Sequence, residues 1–217
     1  MVDTPLARSP IFQAPPVLQI GGWEVSARIS GSRMRLIDCT SCEKLLVRIS
    51  GGSPWTNPFD TELGRARRDQ FGRLIAGIAP EQWLFIGARG VPLSIRDLPE
   101  YSDGARPLVT ITSLTHSTAL IRLVGDESAQ ILRKLCGINF DSQVTPNHSA
   151  LRSSIGRIVV SLIRDDVAAA PNGSIPSYLI FCDRSAGQYL FNLLLDAGQE
   201  FKVDVQGFSD DASLTAV

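Results

Sequence analysis

Of 217 residues, 20% are charged and 44% apolar, and the formal net charge is −1. That length can bury a substantial core as one large domain or two closely packed halves. The balanced charge excludes a general footprint for nucleic acid or an anionic membrane. Arg65, Arg67 and Arg68 are the only tight basic cluster, and they read as a solvated loop or helix face. No apolar run approaches the ~18 residues of a membrane span. The opening stretch MVDTPLARSPIFQAPPV lacks the charged start and apolar core of a secretory signal. The expected setting is cytoplasmic, where the four cysteines stay reduced.

Residues 1–20 read as an extended N-terminal arm, with four prolines in the first 16 positions. Such an arm is ordered only if it lies on another surface, in this protein or a partner's. A first αβ repeat, with its helices lost or shortened, spans 21–104. Within it, Trp23 to Ile29 alternates as a strand and Leu45 to Ile49 is a second strand. GGSPWTNPFD (51–60) is loop by its glycines and prolines. Thr61 to Gln70 is predicted as helical turns capped by Asp60. Phe71 to Ile78 and Trp83 to Ile86 form a predicted hairpin around Ala79-Pro80-Glu81-Gln82. Pro92 to Tyr101 is a predicted short helix limited by Pro99, and Ser102 to Pro107 a polar connector.

A second repeat spans 105–208, and its patterning is sharper. Leu108 to Thr112 is a strand. Leu114 to Gly137 holds a buried strand (Ala119 to Val124), a Gly125-Asp126 turn and an amphipathic helix. Asp126 is the predicted N-cap and Gly137 the left-handed closing residue. Asp141 to Ser149 is a polar loop. Ser154 to Ile163 is read as one strand partnered by Tyr178 to Cys182, with Asp165 to Pro176 a small-residue loop. Asp183 caps a last helix, Ser185 to Ala197, that shows Tyr189, Leu190, Leu193, Leu194 and Ala197 on one face and ends at Gly198. Phe201 to Val205 closes the sheet, and 209–217 is a flexible tail. The order strand, helix, strand, strand, helix, strand is the split βαβ arrangement of ferredoxin-like units.

The halves echo one another. Phe71 to Ile78 resembles Ile155 to Leu162, Trp83 to Ile86 resembles Tyr178 to Phe181, and Leu46 to Gly51 resembles Leu120 to Gly125. Three matches in one order predict a duplicated unit. The fold class is therefore α+β, built from duplicated ferredoxin-like βαββαβ units.

Taken together, His116, Leu120 to Gly125, the helix to Cys136 and Ile155-Gly156-Arg157 resemble the folate-binding aminomethyltransferase family. That family comprises the T-protein of glycine cleavage and related demethylase domains. Ala79-Pro80-Glu81-Gln82-Trp83-Leu84 and Lys134-Leu135-Cys136-Gly137-Ile138-Asn139 are similar to stretches of the sarcosine oxidase gamma subunit family, and the likeness covers roughly 35–200. The resemblance implies a non-catalytic gamma-type subunit of a heterotetrameric complex with larger alpha and beta subunits and a small delta subunit. Those partners would carry FAD or FMN, NAD and tetrahydrofolate, oxidise an N-methyl amine and pass its one-carbon unit to folate. The alternative is a stand-alone folate-binding aminomethyltransferase-like protein, with Asn139, Asp141 or Tyr178 near a pterin held between the halves. A repair factor related to iron–sulfur folate-binding proteins ranks last, because the expected Gly-Gln-Glu after Lys-Gly-Cys is absent.

Folate-dependent relatives place an acidic pair after the first helix of this unit. Here Gly137-Ile138-Asn139-Phe140-Asp141 follows, and an amide cannot act as a general base. Cys39 and Cys42 form a CxxC, but no second pair completes a zinc site, and the motif precedes a strand instead of opening a helix. Buried small residues are the preferred reading. A Cys136 nucleophile paired with His116 or His148 is set against a packing cysteine on an apolar face. No phosphate-binding or nucleophile-elbow motif is present. No catalytic, cofactor-binding or metal-ligating residue is assigned.

Overall fold

Alternating and β-branched stretches dominate the chain, and strands dominate the structure. The computed structural model describes residues 5–50, 59–87, 108–169 and 173–208. The expected 92–101 helix, the 102–107 connector, the 209–217 tail and most of the 51–60 loop lie outside those residues.

The strands are β1 (Ala7–Arg8), β2 (Val17–Ile20), β3 (Trp23–Ser26), β4 (Arg35–Asp38), β5 (Lys44–Ser50), β6 (Ala66–Arg68), β7 (Leu74–Ala79) and β8 (Gln82–Ile86). The second half adds β9 (Leu108–Ser113), β10 (Thr118–Val124), helix α1 (Ser128–Leu135), β11 (Ala150–Ile155), β12 (Ile158–Arg164), β13 (Val167–Ala169) and β14 (Gly173–Ile175). It closes with β15 (Ser177–Asp183), helix α2 (Gly187–Ala197) and β16 (Asp204–Gln206). A six-stranded sheet runs β11-β12-β15-β10-β4-β16, and a five-stranded sheet runs β6-β7-β8-β5-β9. The architecture is thus α+β, mostly sheet with two α-helices among the described residues.

One strand of each half pairs in the sheet built mostly by the other half. β4 pairs antiparallel with β10, with Ile121 opposite Asp38. β9 pairs antiparallel with β5, with Leu45 opposite Ser113.

Burial along β10 shows the layering. Ala119, Ile121 and Leu123 join Ile131 and Leu132 of α1 and Leu190, Phe191 and Leu194 of α2 in one core. Leu120 and Val124 point the other way and meet Leu74, Ala76, Leu84 and Ile86 of the five-stranded sheet. This is the alternation a pleated strand imposes. The outer face of the five-stranded sheet carries Val47, Ile49, Ile75, Trp83 and Phe85, with Phe59 laid across them. Phe59 meets Trp83 and Phe85 edge-on at 5.2 and 4.9 Å.

The N-terminal arm lies on its own chain, one of the two surfaces open to it. β1, β3 and β2 form a three-stranded sheet. Ile11 is buried in the helix-side core. Gln13 donates to Asp38 at 2.6 Å and accepts the Ser26 N–H at 2.8 Å.

Local expectations change in five places. Thr61 to Gln70 contains the strand β6 in place of helical turns, because its backbone pairs with β7, Ala66 opposite Ala76, and on its other side Ala66 N–H donates to the His148 carbonyl at 2.7 Å and Ala150 N–H to the Gly64 carbonyl at 2.9 Å. Ser154 to Ile163 is a hairpin, β11 to β12, since Gly156 and Arg157 both take left-handed φ (54° and 71°), as a two-residue turn of primed type requires. Asp165 to Pro176 holds the β13–β14 hairpin. Asp126 does not cap α1: the helix follows Glu127 with no side-chain cap, and Ser128 Oγ donates to the Gly125 carbonyl. Gly125 fixes that turn instead, at φ 135°, where a Cβ would sit 2.2 Å from Met34 Sδ. Lastly, α1 ends on extended Cys136 and not on a left-handed Gly137.

Candidate functional site

Two buried strand positions carry charge toward the space between the sheets. Arg122 occupies the inward face of β10, in register with Ile37 of β4 and Leu179 of β15. It is 1% exposed. Lys44 opens β5 opposite Ile86 and is fully buried. Buried charges need partners, and both find them. Arg122 Nη2 donates to the Asp165 carboxylate and backbone carbonyl. Arg68 of β6 donates to the same carboxylate at 3.2 and 2.6 Å. Asp165 therefore bridges an arginine from each sheet. Nε and Nη1 of Arg122 have no partner among the described residues. Arg68 thus leaves the solvated basic cluster that the sequence implied, and Arg67 donates to the Phe59 carbonyl at 2.8 Å.

Lys44 Nζ donates to the carbonyls of Thr40 and Cys42 at 2.7 and 2.9 Å. Burial pushes its pKa down to about 8. The segment it grips is the connection between β4 and β5. There Thr40 N–H donates to Asp38 Oδ1 at 2.9 Å, Cys39 N–H to the Leu120 carbonyl at 2.8 Å, and Cys42 N–H to the Cys39 carbonyl at 3.0 Å. Both cysteines are fully buried free thiols in the inter-sheet core. The neighbouring Cys42 thiol, and then burial, hold the Cys39 thiol well above its usual range.

The remaining candidates are dispersed. Asn139 and Asp141 lie in the loop after α1, where Asn139 Oδ1 accepts the Asp141 N–H at 3.0 Å and Asp141 Oδ1 accepts the Gln143 N–H at 2.9 Å. Their side-chain oxygens thus serve the loop's own turns. Tyr178 faces the helices, edge-on to Phe140 at 5.7 Å, and burial raises its pKa. His116 is exposed and stacks on Trp23 at 5.0 Å. His148 is exposed with φ 66°. Cys136 contacts Ser153 Oγ at 3.4 Å, and among the described residues no hydrogen bond joins it to either histidine. Burial drives Cys182 up to about 11. No group of three His, Cys, Asp or Glu able to hold a metal occurs among the described residues.

Tyr178 packs on Phe140, which stands between Asn139 and Asp141 in the chain, and the core between the sheets holds Leu74, Leu84, Ile86, Leu120, Val124 and Leu179. The Arg122–Asp165–Arg68 bridge and the Lys44 anchor were not singled out from sequence. Their signal was a charge inside an apolar strand, visible at Arg122 in ALIRLV and at Asp165 just after VVSLIR.

The architecture places the chain in a class known from solved structures. It superposes with TM-score 0.62 on a chain of the heterotetrameric sarcosine oxidase from Corynebacterium sp. U-96, at 20% identity, covering 82% of this chain and 90% of that one. It superposes with TM-score 0.65 on the glycine cleavage system aminomethyltransferase T from Bartonella henselae, at 13% identity, covering 93% of this chain and 60% of that one. The likeness at these identities is one of fold, and it is the fold the sequence resemblance implied. No family profile and no curated protein matches the sequence.

Proposed function

We propose that this chain is a gamma-type, non-catalytic subunit of a heterotetrameric sarcosine oxidase-like complex, working in N-methyl amine oxidation and one-carbon metabolism in the cytoplasm. The observation that carries this reading is coverage. The chain matches nine-tenths of a chain from a multi-subunit oxidase but only 60% of the aminomethyltransferase. We read the two large sheets as diverged copies of one ferredoxin-like unit, kept as a scaffold. Larger alpha and beta subunits and a small delta subunit would complete the assembly. Those partners would hold FAD or FMN, NAD and tetrahydrofolate and carry out the chemistry.

The surface agrees with a partner. Phe12 is 80% and Ile29 89% exposed, both on the N-terminal segment. A stable interface of ~1,200–2,000 Å² would cover such side chains. No helix among the described residues is long and apolar enough to cross a membrane.

The test is native mass spectrometry of the protein purified from its own cells through a C-terminal tag. Co-purification of larger flavin-bearing chains is the expected result. Recovery of this chain alone overturns the proposal. Tight folate binding by that lone chain, lost in Asp141→Ala, would establish the stand-alone alternative.

A further inference from the structure

The connection between β4 and β5 carries the chain from the six-stranded sheet to the five-stranded sheet. It is the turn Cys39-Thr40-Ser41-Cys42, closed by the Cys42 N–H to Cys39 carbonyl bond of 3.0 Å. A turn of that kind holds its end Cα atoms within about 7 Å. A disulfide spans Cα distances of roughly 4.4–6.8 Å. Both side chains enter the same inter-sheet core.

Two cations surround the pair. Lys44 Nζ is fixed on the turn's own carbonyls. The Arg122 guanidinium acts on Cys39 in the attractive sense and has two unpartnered N–H positions. Both charges favour a thiolate, against the Cys42 thiol and the burial that hold the Cys39 thiol up. Cys136 and Cys182 lie in the other core, on the helix side.

We propose that Cys39 and Cys42 are a redox dithiol, oxidised to an intramolecular disulfide by a low-molecular-weight disulfide such as glutathione disulfide. One cysteine, as thiolate, attacks a sulfur of the oxidant. The oxidant's S–S bond breaks, one small thiol leaves with a proton, and a mixed disulfide remains. The second cysteine gives up its proton and attacks the protein sulfur of that bond, releasing the second small thiol. Two protein thiols are oxidised and one external disulfide is reduced to two thiols. Both sulfurs are buried, so exchange proceeds through local opening of the turn. The product crosslinks the point where the chain passes between sheets. This goes beyond the subunit reading and does not depend on it.

The test uses the full chain, folded, incubated with glutathione disulfide, quenched in acid and alkylated. The expected result is loss of two hydrogen atoms' mass, a peptide map joining Cys39 to Cys42, and return to the dithiol with dithiothreitol. Hydrogen exchange in 35–50 should slow in the oxidised form. Full alkylation of both cysteines after the wild-type protein is unfolded would overturn the proposal, as would a bond mapped to Cys136 or Cys182. Cys39→Ser and Cys42→Ser should each abolish the internal bond. The wild-type map decides the question even if those variants do not fold.

Discussion

The two large sheets share a strand order but not a cover. In the six-stranded sheet β11, β12, β15 and β10 are followed by the exchanged strand β4; in the five-stranded sheet β6, β7, β8 and β5 are followed by the exchanged strand β9. One sheet packs its outer face under α1 and α2. The other presents a cluster built on Phe59, Trp83 and Phe85, with no helix among the described residues. Strand pairing is thus set by the inward faces, which must fit each other. The outer face needs only enough apolar area, and helices or aromatic side chains can both supply it.

The sharpest way to break the comparison is to break its joint. Asp165→Asn leaves Arg122 buried without a carboxylate, and one broken buried pair costs about 3–5 kcal/mol. Urea unfolding should show that loss. A drop under about 1 kcal/mol would mean the bridge does not join the sheets. Next come the two covers. Leu194→Ala removes a fully buried contact of α2, and Phe59→Ala removes the lid of the other face. Each should cost about 2–5 kcal/mol, with hydrogen exchange rising first in the sheet beneath the substitution. Uniform acceleration in both sheets would show that the covers are not separate.

A smaller effect is expected at Gly77, where a Cβ would sit 2.3 Å from the Glu62 carbonyl oxygen. Gly77→Ala must shift the backbone at its bridge to Leu63, at a cost of about 1–3 kcal/mol. The measurement is a thermal midpoint, set against Gly137→Ala, where a Cβ meets open space.

Lys44 gives a pH signature. Its pKa falls from 10.5 to about 8 on folding. Below pH 8 both states hold the proton, and the cost of burial is fully present. Between about 8 and 10.5 the unfolded chain keeps a proton the folded chain has lost, so this group's contribution to stability rises with pH. Burial of Cys182, raised from 9.0 to about 11, acts in the opposite sense above pH 9. The difference between wild type and Lys44→Met isolates the lysine and should grow by on the order of 1–3 kcal/mol across its window. A flat difference would count against a buried ammonium. The smallest effect belongs to Asp141→Ala, which removes one turn acceptor and should cost about 1 kcal/mol or less.

Strands were legible in the sequence where alternation marked them, as at β3, or a short apolar run did, as at β5, β8 and β10. Turns were missed where one glycine hid a reversal: Gly156 splits an apolar run that reads as continuous. The β6 strand was illegible because it is three residues long and charged, with no alternation to mark it, although its partner β7 follows directly. The echo between the halves does not hold in one register. Gly77 faces Trp83 and Ser161 faces Phe181, so if Gly77 matches Ser161, the counterpart of Trp83 is Phe181 and not Tyr178. Short apolar strings match at several offsets, and only hydrogen bonding chooses among them. The buried charges were legible as letters but not as a bridge, since Arg68 and Asp165 are 97 residues apart.

The exchanged strands also bear on synthesis. Thr40, just beyond β4, accepts the N–H of Leu120, 80 residues downstream. On a ribosome, where the N-terminal part emerges first, β4 therefore leaves the exit tunnel well before β10 exists. During that interval its edge is unpaired, and such non-local pairing slows folding. Expression of the first half alone would leave β4 permanently without its neighbour, and β5 without β9. Soluble product is expected only when both segments are made together.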